Sequence, residues 1–308
     1  MFDDACLLEF LIEFIQLNIK RNHTIKKEED NLKLECERIR PRPIRGRIRM
    51  LARWTKRALW FLKEGHFDFF KNAINAQLVL LFFTLRDIIL RRKIVTCNIC
   101  GWSGHNFYPH VCAGFYDRMV ICPGCDCLDR YRTYAAILKK CTDFFSPDTF
   151  VIEVAPVLEF QEFCLKQKSN KNYISFDIQR FAIEKGDITN MRFKDNTVDY
   201  FLCSDVLDYV KDDVAAFRQV WRILKPGGLF IIRVAVDRNL QKTLEYESPC
   251  KKNIFHTRLY GRDFFKKVSA FGFEVSEHSA AEYLSEDEIK KFGLCRSSIF
   301  FAKKVTQH

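Results

Sequence analysis

Two matched cysteine pairs, Cys97-Asn98-Ile99-Cys100 and Cys122-Pro123-Gly124-Cys125, stand 21 residues apart in this chain. Each sits in a knuckle, with Gly101 following the first pair and Gly124 inside the second. Two such turns aim four sulfurs at one tetrahedral centre, and the spacing is close to that of a zinc ribbon. Four thiolates, from Cys97, Cys100, Cys122 and Cys125, close the coordination shell, so the zinc would be structural rather than catalytic. Cys112, Cys127, His105 and His110 are near enough to substitute as ligands. Reduced, metal-free thiols are the alternative. Cys141, Cys164 and Cys295 stand alone and read as packed residues.

A second chemistry-bearing set lies further on. Asp177 falls 24 residues after Glu153, at the end of an apolar run. A carboxylate at that separation can accept both ribose hydroxyls of a nucleoside; helix capping is its other use. Cys203-Ser204-Asp205 ends a later apolar run, where ligands of open α/β sheets bind. Asp205 is there the best-placed acid or base, with capping again the alternative.

The elements that must position these residues follow from the rhythm of the chain. From Thr149 short apolar strands alternate with helical stretches, which predicts a doubly wound α/β sheet with helices on both faces. Strands are expected at Thr149 to Val154, Tyr173 to Asp177, Val198 to Cys203 and Leu229 to Val234. A helix is expected from Asp212 to Leu224, closed by Lys225-Pro226-Gly227-Gly228. Phe273 to Val275 and Ser298 to Ala302 should end the sheet as an antiparallel pair. Four segments result: 1–43 helical and linker, 44–95 basic and amphipathic, 96–145 the ribbon with a connecting helix, and 146–308 the α/β domain.

Residues 146–304 resemble the class I S-adenosylmethionine-dependent methyltransferases, of the type 11-like kind. The resemblance is carried by Asp177, Gly186-Asp187-Ile188-Thr189, the stretch Phe193 to Asp199, and Leu224 to Gly228. It implies a Rossmann-like domain that binds S-adenosylmethionine through Glu153, Ala155, Pro156, Asp177, Ile178, Asp187, Ile188, Cys203 and Ser204. Asp187 would face the adenine amine while Ile188 packs on the ring; a turn-forming Asp is the alternative. The family's glycine-rich turn after the first strand is here Ala155-Pro156-Val157, without glycine. A narrower resemblance is to bacterial proteins that join a CxxC…CxxC ribbon to such a domain. It rests on Cys125 to Arg132, Ala155-Pro156 and His256 to Asp263. Those proteins often accompany surface-polysaccharide synthesis, which implies a sugar or lipid-linked glycan substrate. His256, in an insertion over the open end of the crevice, can take a proton from a hydroxyl. Packing of His256 and Tyr260 to anchor the insertion is the other reading.

Composition bounds these expectations. The chain has 308 residues, 48% hydrophobic and 29% charged, as folded proteins do. Its start, Met1-Phe2-Asp3-Asp4, is acidic where a signal peptide is basic, and its thirteen cysteines are an odd number. Reduced thiols in the cytoplasm are the expectation. The net charge of +11 is concentrated between Arg38 and Lys93, where 15 Lys/Arg meet only Glu64, Asp68 and Asp87. Interleaved apolar stripes make this segment a candidate for peripheral contact with an anionic inner-membrane surface. Packing on protein is the alternative. A nucleic-acid methyltransferase is disfavoured, because the charge lies away from the α/β domain and no Asn-Pro-Pro-Tyr motif is present. A catalytically degenerate scaffold remains open, given the glycine-free turn.

Overall fold

The computed structural model describes residues 67–308 apart from 113–114, 169–171, 179–181, 251–255 and 306–308, together with residues 55, 59, 62 and 63. The expected segment 1–43, and most of the basic segment before residue 67, lie outside the described residues.

Helix α1, Phe67–Leu90, leads into the cysteine region. There β1, Val95–Thr96, pairs with β2, Ser103–Gly104, and β3, Tyr108–Cys112, pairs with β4, Phe115–Ile121. Helix α2, Asp129–Cys141, starts directly after the second cysteine pair, with Asp129 in its first turn and Lys139 and Lys140 in its last. Those charges oppose the helix dipole at both ends. Residues 131–138 of α2 are all buried. They pack on one face of the sheet, among Val151, Tyr173, Tyr200, Leu202 and Ile231.

The sheet contains β5 (Val151–Val154), β6 (Tyr173–Asp177), β7 (Glu184–Lys185), β8 (Val198–Ser204), β9 (Leu224–Arg233), β12 (Phe273–His278) and β13 (Ile299–Lys304), in the order β12-β13-β9-β8-β5-β6-β7. Pairings from β7 to β9 are parallel, and β13 joins β9 and β12 antiparallel. Side chains alternate with period two, so Phe201, Cys203, Phe230 and Ile232 enter one core and Tyr200, Leu202 and Ile231 the other. Both faces are therefore covered, as a parallel sheet requires. Helix α3, Leu158–Gln167, joins α2 on its face through Phe160, Phe163 and Cys164. Helix α4, Asp213–Ile223, buries Ala216, Phe217, Val220 and Ile223 on the other. Its cap is Asp212, whose carboxylate accepts from the Ala215 amide at 2.8 Å.

The expected elements are present, with two differences. Lys225 to Gly228 lies within β9 as a bulge opposite Val198 and Tyr200. Gly228 is required there, since a Cβ would stand 2.9 Å from the Lys225 carbonyl oxygen. The terminal pair is antiparallel as expected, but a 3₁₀ turn, Ala280–Glu282, and helix α6, Glu286–Phe292, intervene between its strands. Between β9 and β12 the chain also forms the ribbon of β10, Leu244–Cys250, and β11, His256–Leu259, followed by helix α5, Phe264–Ser269.

Arg132 of α2 is completely buried and ties the cysteine region to the sheet domain. Its guanidinium donates to the carbonyls of Val120 (2.9 Å) and Cys127 (3.1 Å) on one side, and of Phe292 and Gly293 (both 2.8 Å) on the other. It also lies 3.7 Å above the Phe107 ring.

Candidate functional site

The two knuckles are built alike. The Cys97 amide donates to Trp102 O (2.7 Å), and the Cys122 amide to Cys127 O (3.0 Å). The residue after each second cysteine is left-handed, with φ 76° at Gly101 and 71° at Asp126. Gly124 is fixed by close approach, because a Cβ would stand 2.6 Å from Trp102 Cβ and 3.0 Å from Cys100 Sγ.

The four expected ligand sulfurs, of Cys97, Cys100, Cys122 and Cys125, all lie within 4.8 Å of one another. Cys97 and Cys125 are 3.8 Å apart, and Cys100 and Cys122 3.6 Å. Sulfurs at about 2.3 Å from a tetrahedral zinc would be separated by about 3.8 Å. The donor set therefore fits a metal ion. Its electrostatics point the same way. Hydrogen bonds from Cys100, then Cys122, Cys125 and Cys127, pull Cys97 far below the ordinary thiol range, while Cys125 is pushed far above it by the same kind of contacts, Cys100 first. Crowded sulfurs, of which those of Cys97 and Cys122 are fully buried, cannot all ionise unless a cation joins them.

Cys127 is a fifth sulfur, 3.7 Å from Cys97. It takes the position in the second knuckle that Trp102 holds in the first, which explains its burial beside the cluster. Among the described residues the metal-competent group is the four. The side chains of His110 and Cys112 lie outside those described.

The second site is at the carboxyl ends of the parallel strands. The chain leaves β5 for β6 on one side and returns to β8 on the other, so the strand order reverses beside β5. Crevices for ligands open at such switch points. The turn there has φ 49° at Ala155, and φ 55° at Asp205 after β8. Both amides bond the neighbouring strand's end, Ala155 N to Phe176 O and Asp205 N to Arg233 O, each at 2.9 Å. A non-glycine residue in this region costs roughly 1–2 kcal/mol. The backbone thus keeps a glycine-type turn although its glycine is absent.

Asp177 ends β6, with Ile178 exposed beside it. The Gly186 amide donates to the Asp177 carbonyl at 3.1 Å, which brings the Asp187 turn next to that strand end. Asp187 accepts from the amide and hydroxyl of Thr189, both at 2.8 Å. Ile188 and Cys203 are buried in the core. Pro156 is half-buried in the turn. Glu153 is buried and accepts from the Tyr173 hydroxyl, and burial pushes its carboxyl up to about 8 against that hydrogen bond. Its carboxylate is engaged inside the protein rather than at the strand tips.

Ser204 and Asp205 meet groups from α2. The Tyr134 hydroxyl is 2.7 Å from Ser204 Oγ. Asp205 is ion-paired with Arg130, at 3.3 Å, and with Arg233. Asp205 is thereby held between two guanidiniums. His256 is different: its Nε2 stands 3.0 Å from Asp208 Oδ2. Burial raises the Asp208 carboxyl, with His256 acting in the opposite direction. The Asp208 carbonyl holds β11 through the Thr257 amide (2.8 Å) and hydroxyl (2.9 Å), so both members of the pair are fixed. Tyr209 packs edge-on against the imidazole, with centroids 4.6 Å apart. Tyr260 and Arg258 are buried anchors. Tyr260 donates to Asp213 at 2.8 Å, and Arg258 binds Glu245 and the carbonyls of Leu207, Val210 and Lys211.

Sequence reasoning gave no role to Asp208, Arg130, Arg233 or Tyr134. Their only signals were position, Asp208 three residues after Asp205 and Arg130 in the tail of the ribbon.

Residues 139–232 match the family model of a methyltransferase domain. The fold is that of a class I S-adenosylmethionine-dependent methyltransferase. A human thiol S-methyltransferase is 33% identical over 88 residues, 28% of this chain and 34% of that protein. A norajmaline N-methyltransferase of Rauvolfia serpentina is 28% identical over 89 residues, 29% of this chain and 28% of that protein. The chain thus spans about a third of the length of the curated relatives it matches. Among solved structures, a SAM-dependent methyltransferase of Archaeoglobus fulgidus is similar at a TM-score of 0.37 and 15% identity, covering 55% of this chain and 92% of that one.

Two outcomes test this geometry. Cys97→Ser should lose the bound metal and Cys127→Ser should keep it, as read by plasma mass spectrometry. Metal retained by Cys97→Ser would contradict the four-sulfur site. The second concerns pH. An unfolded glutamate ionises from its ordinary value of 4.5, whereas folded Glu153 keeps its proton to about 8. The unfolded state therefore releases this proton first, and stability falls as pH rises across that window. At about 1.4 kcal/mol per pKa unit the loss is on the order of 5 kcal/mol. Denaturation midpoints of Glu153→Gln should decline less than those of the parent over this range; an identical decline would rule out the raised carboxyl.

Proposed function

We propose that this protein is a cytoplasmic, S-adenosylmethionine-dependent methyltransferase that methylates a hydroxyl of a sugar or lipid-linked glycan, with zinc in its cysteine ribbon. The observation that supports this most is the convergence at one switch point of the Asp177 strand end, the Ala155 turn and the loop carrying Asp208.

In this reading Asp177 accepts the ribose hydroxyls and Ile178 covers the sugar. Asp187 takes the edge of the adenine, and Ile188, buried in the core, supports that turn from beneath. Ala155, Pro156 and Ser204 border the remainder of the cofactor, with Glu153 and Cys203 supporting it from the core. S-adenosylmethionine, when bound, supplies an electrophilic methyl group on a sulfonium sulfur. Asp208 holds the Nε2 proton of His256, so Nδ1 carries the lone pair and receives the acceptor's hydroxyl proton. Asp205, fixed by Arg130 and Arg233, orients the loop that carries Asp208. The glycan class rests on the resemblance of the ribbon and domain together, and nucleic acid is not the preferred acceptor.

Incubation with labelled S-adenosylmethionine and a lipid-linked oligosaccharide fraction tests the reading. Label should enter the glycan, and His256→Gln should lower the rate about 10²–10⁴-fold with metal content unchanged. Asp208→Asn should shift the pH profile of the rate. Label in RNA would redirect the substrate assignment, and no transfer to any acceptor by metal-loaded protein would favour a scaffold.

A further inference from the structure

Helix α1 carries two stripes, and among the described residues only one of them is packed against the rest of the protein. Leu80, Phe83, Thr84 and Asp87 recur at helical spacing on one side. This side packs on the β3 and β4 hairpin: Leu80 and Phe83 contact Tyr108, whose hydroxyl donates to Asp87 at 3.1 Å. The opposite side presents Leu78, Leu81, Phe82, Leu85, Ile88 and Ile89, from 48% to 77% exposed. A contiguous row of large exposed apolar side chains marks an interaction surface.

Charge says what covers it. The row ends at Arg91, Arg92 and Lys93, all exposed, in the segment where 15 Lys/Arg face three acids. An apolar face flanked by cations lies in the headgroup region of an anionic bilayer. Among the described residues no helix is long and apolar enough to cross a membrane, so α1 would lie on the surface.

We propose that the outward face of α1, with Arg91, Arg92 and Lys93, docks this protein on an anionic lipid surface. The inference goes beyond the methyltransferase reading and stands independently of turnover in the crevice. Docking through α1 would hold the ribbon, and α2 behind it, at the membrane.

The full-length protein should co-float with vesicles of about three parts phosphatidylcholine to one of phosphatidylglycerol, and weakly with phosphatidylcholine alone. Leu81→Glu/Leu85→Glu should reduce partitioning at least about tenfold. Replacing Arg91, Arg92 and Lys93 by Gln should cost about fivefold per cation and remove the salt dependence in proportion. Both sets change exposed residues, and unchanged metal content checks that the variants are folded. Three results would overturn the proposal: no flotation with either vesicle, a dimer that Leu81→Glu dissociates without any vesicle binding, or retention on RNA alone.

Discussion

A buried guanidinium joins the cysteine ribbon to the sheet domain. Among the described residues Arg132 has no carboxylate partner; carbonyl oxygens from both sides and the Phe107 ring take the place of water. Two of those carbonyls, of Phe292 and Gly293, are at the carboxyl end of α6, where the helix dipole favours a cation. Stripping one side from a buried charge leaves a desolvation cost of several kcal/mol, so the ribbon and the domain support each other. Gly293 shows how tight the junction is: a Cβ there would lie 2.3 Å from the Phe107 ring.

This junction connects the metal cluster to the crevice. Cys127 and Arg132 are five residues apart, and α2 between the cluster and the sheet also carries Arg130 and Tyr134. Those side chains reach Asp205 and Ser204 at the end of β8. The metal would therefore act on the crevice without touching it, by fixing the start of the helix whose side chains brace the loop after β8. Asp208 lies on that loop; its carbonyl anchors β11 through Thr257, and its carboxylate pairs with His256.

Much of this was legible in the sequence, for identifiable reasons. The four sulfurs announced themselves through paired spacing, a local signal that folding need only close. The strands from Val151 to Ile232 were visible through apolar runs. The bulge at Lys225 to Gly228 was read as a helix stop, because Pro-Gly-Gly serves either purpose in sequence. Long-range pairs were not legible. Arg132 reaches carbonyls 160 residues away, and carbonyl acceptors have no residue signature. Asp205 was singled out by residue type and position; only the fold adds its ion-pair partners Arg130 and Arg233. The conformation of the glycine-free turn was also not legible, since Ala155 adopts the left-handed backbone that sequence reasoning reserves for glycine.

The central claim is that this turn still frames a nucleoside cofactor site. Calorimetric titration of the metal-loaded protein with S-adenosylhomocysteine, alongside Asp177→Ala, tests it most directly. The account predicts saturable binding to one site per chain, weakened at least about tenfold in the variant, as loss of hydrogen bonds to a charged acceptor implies. No binding by the folded, metal-loaded protein, or equal binding by both proteins, would contradict it.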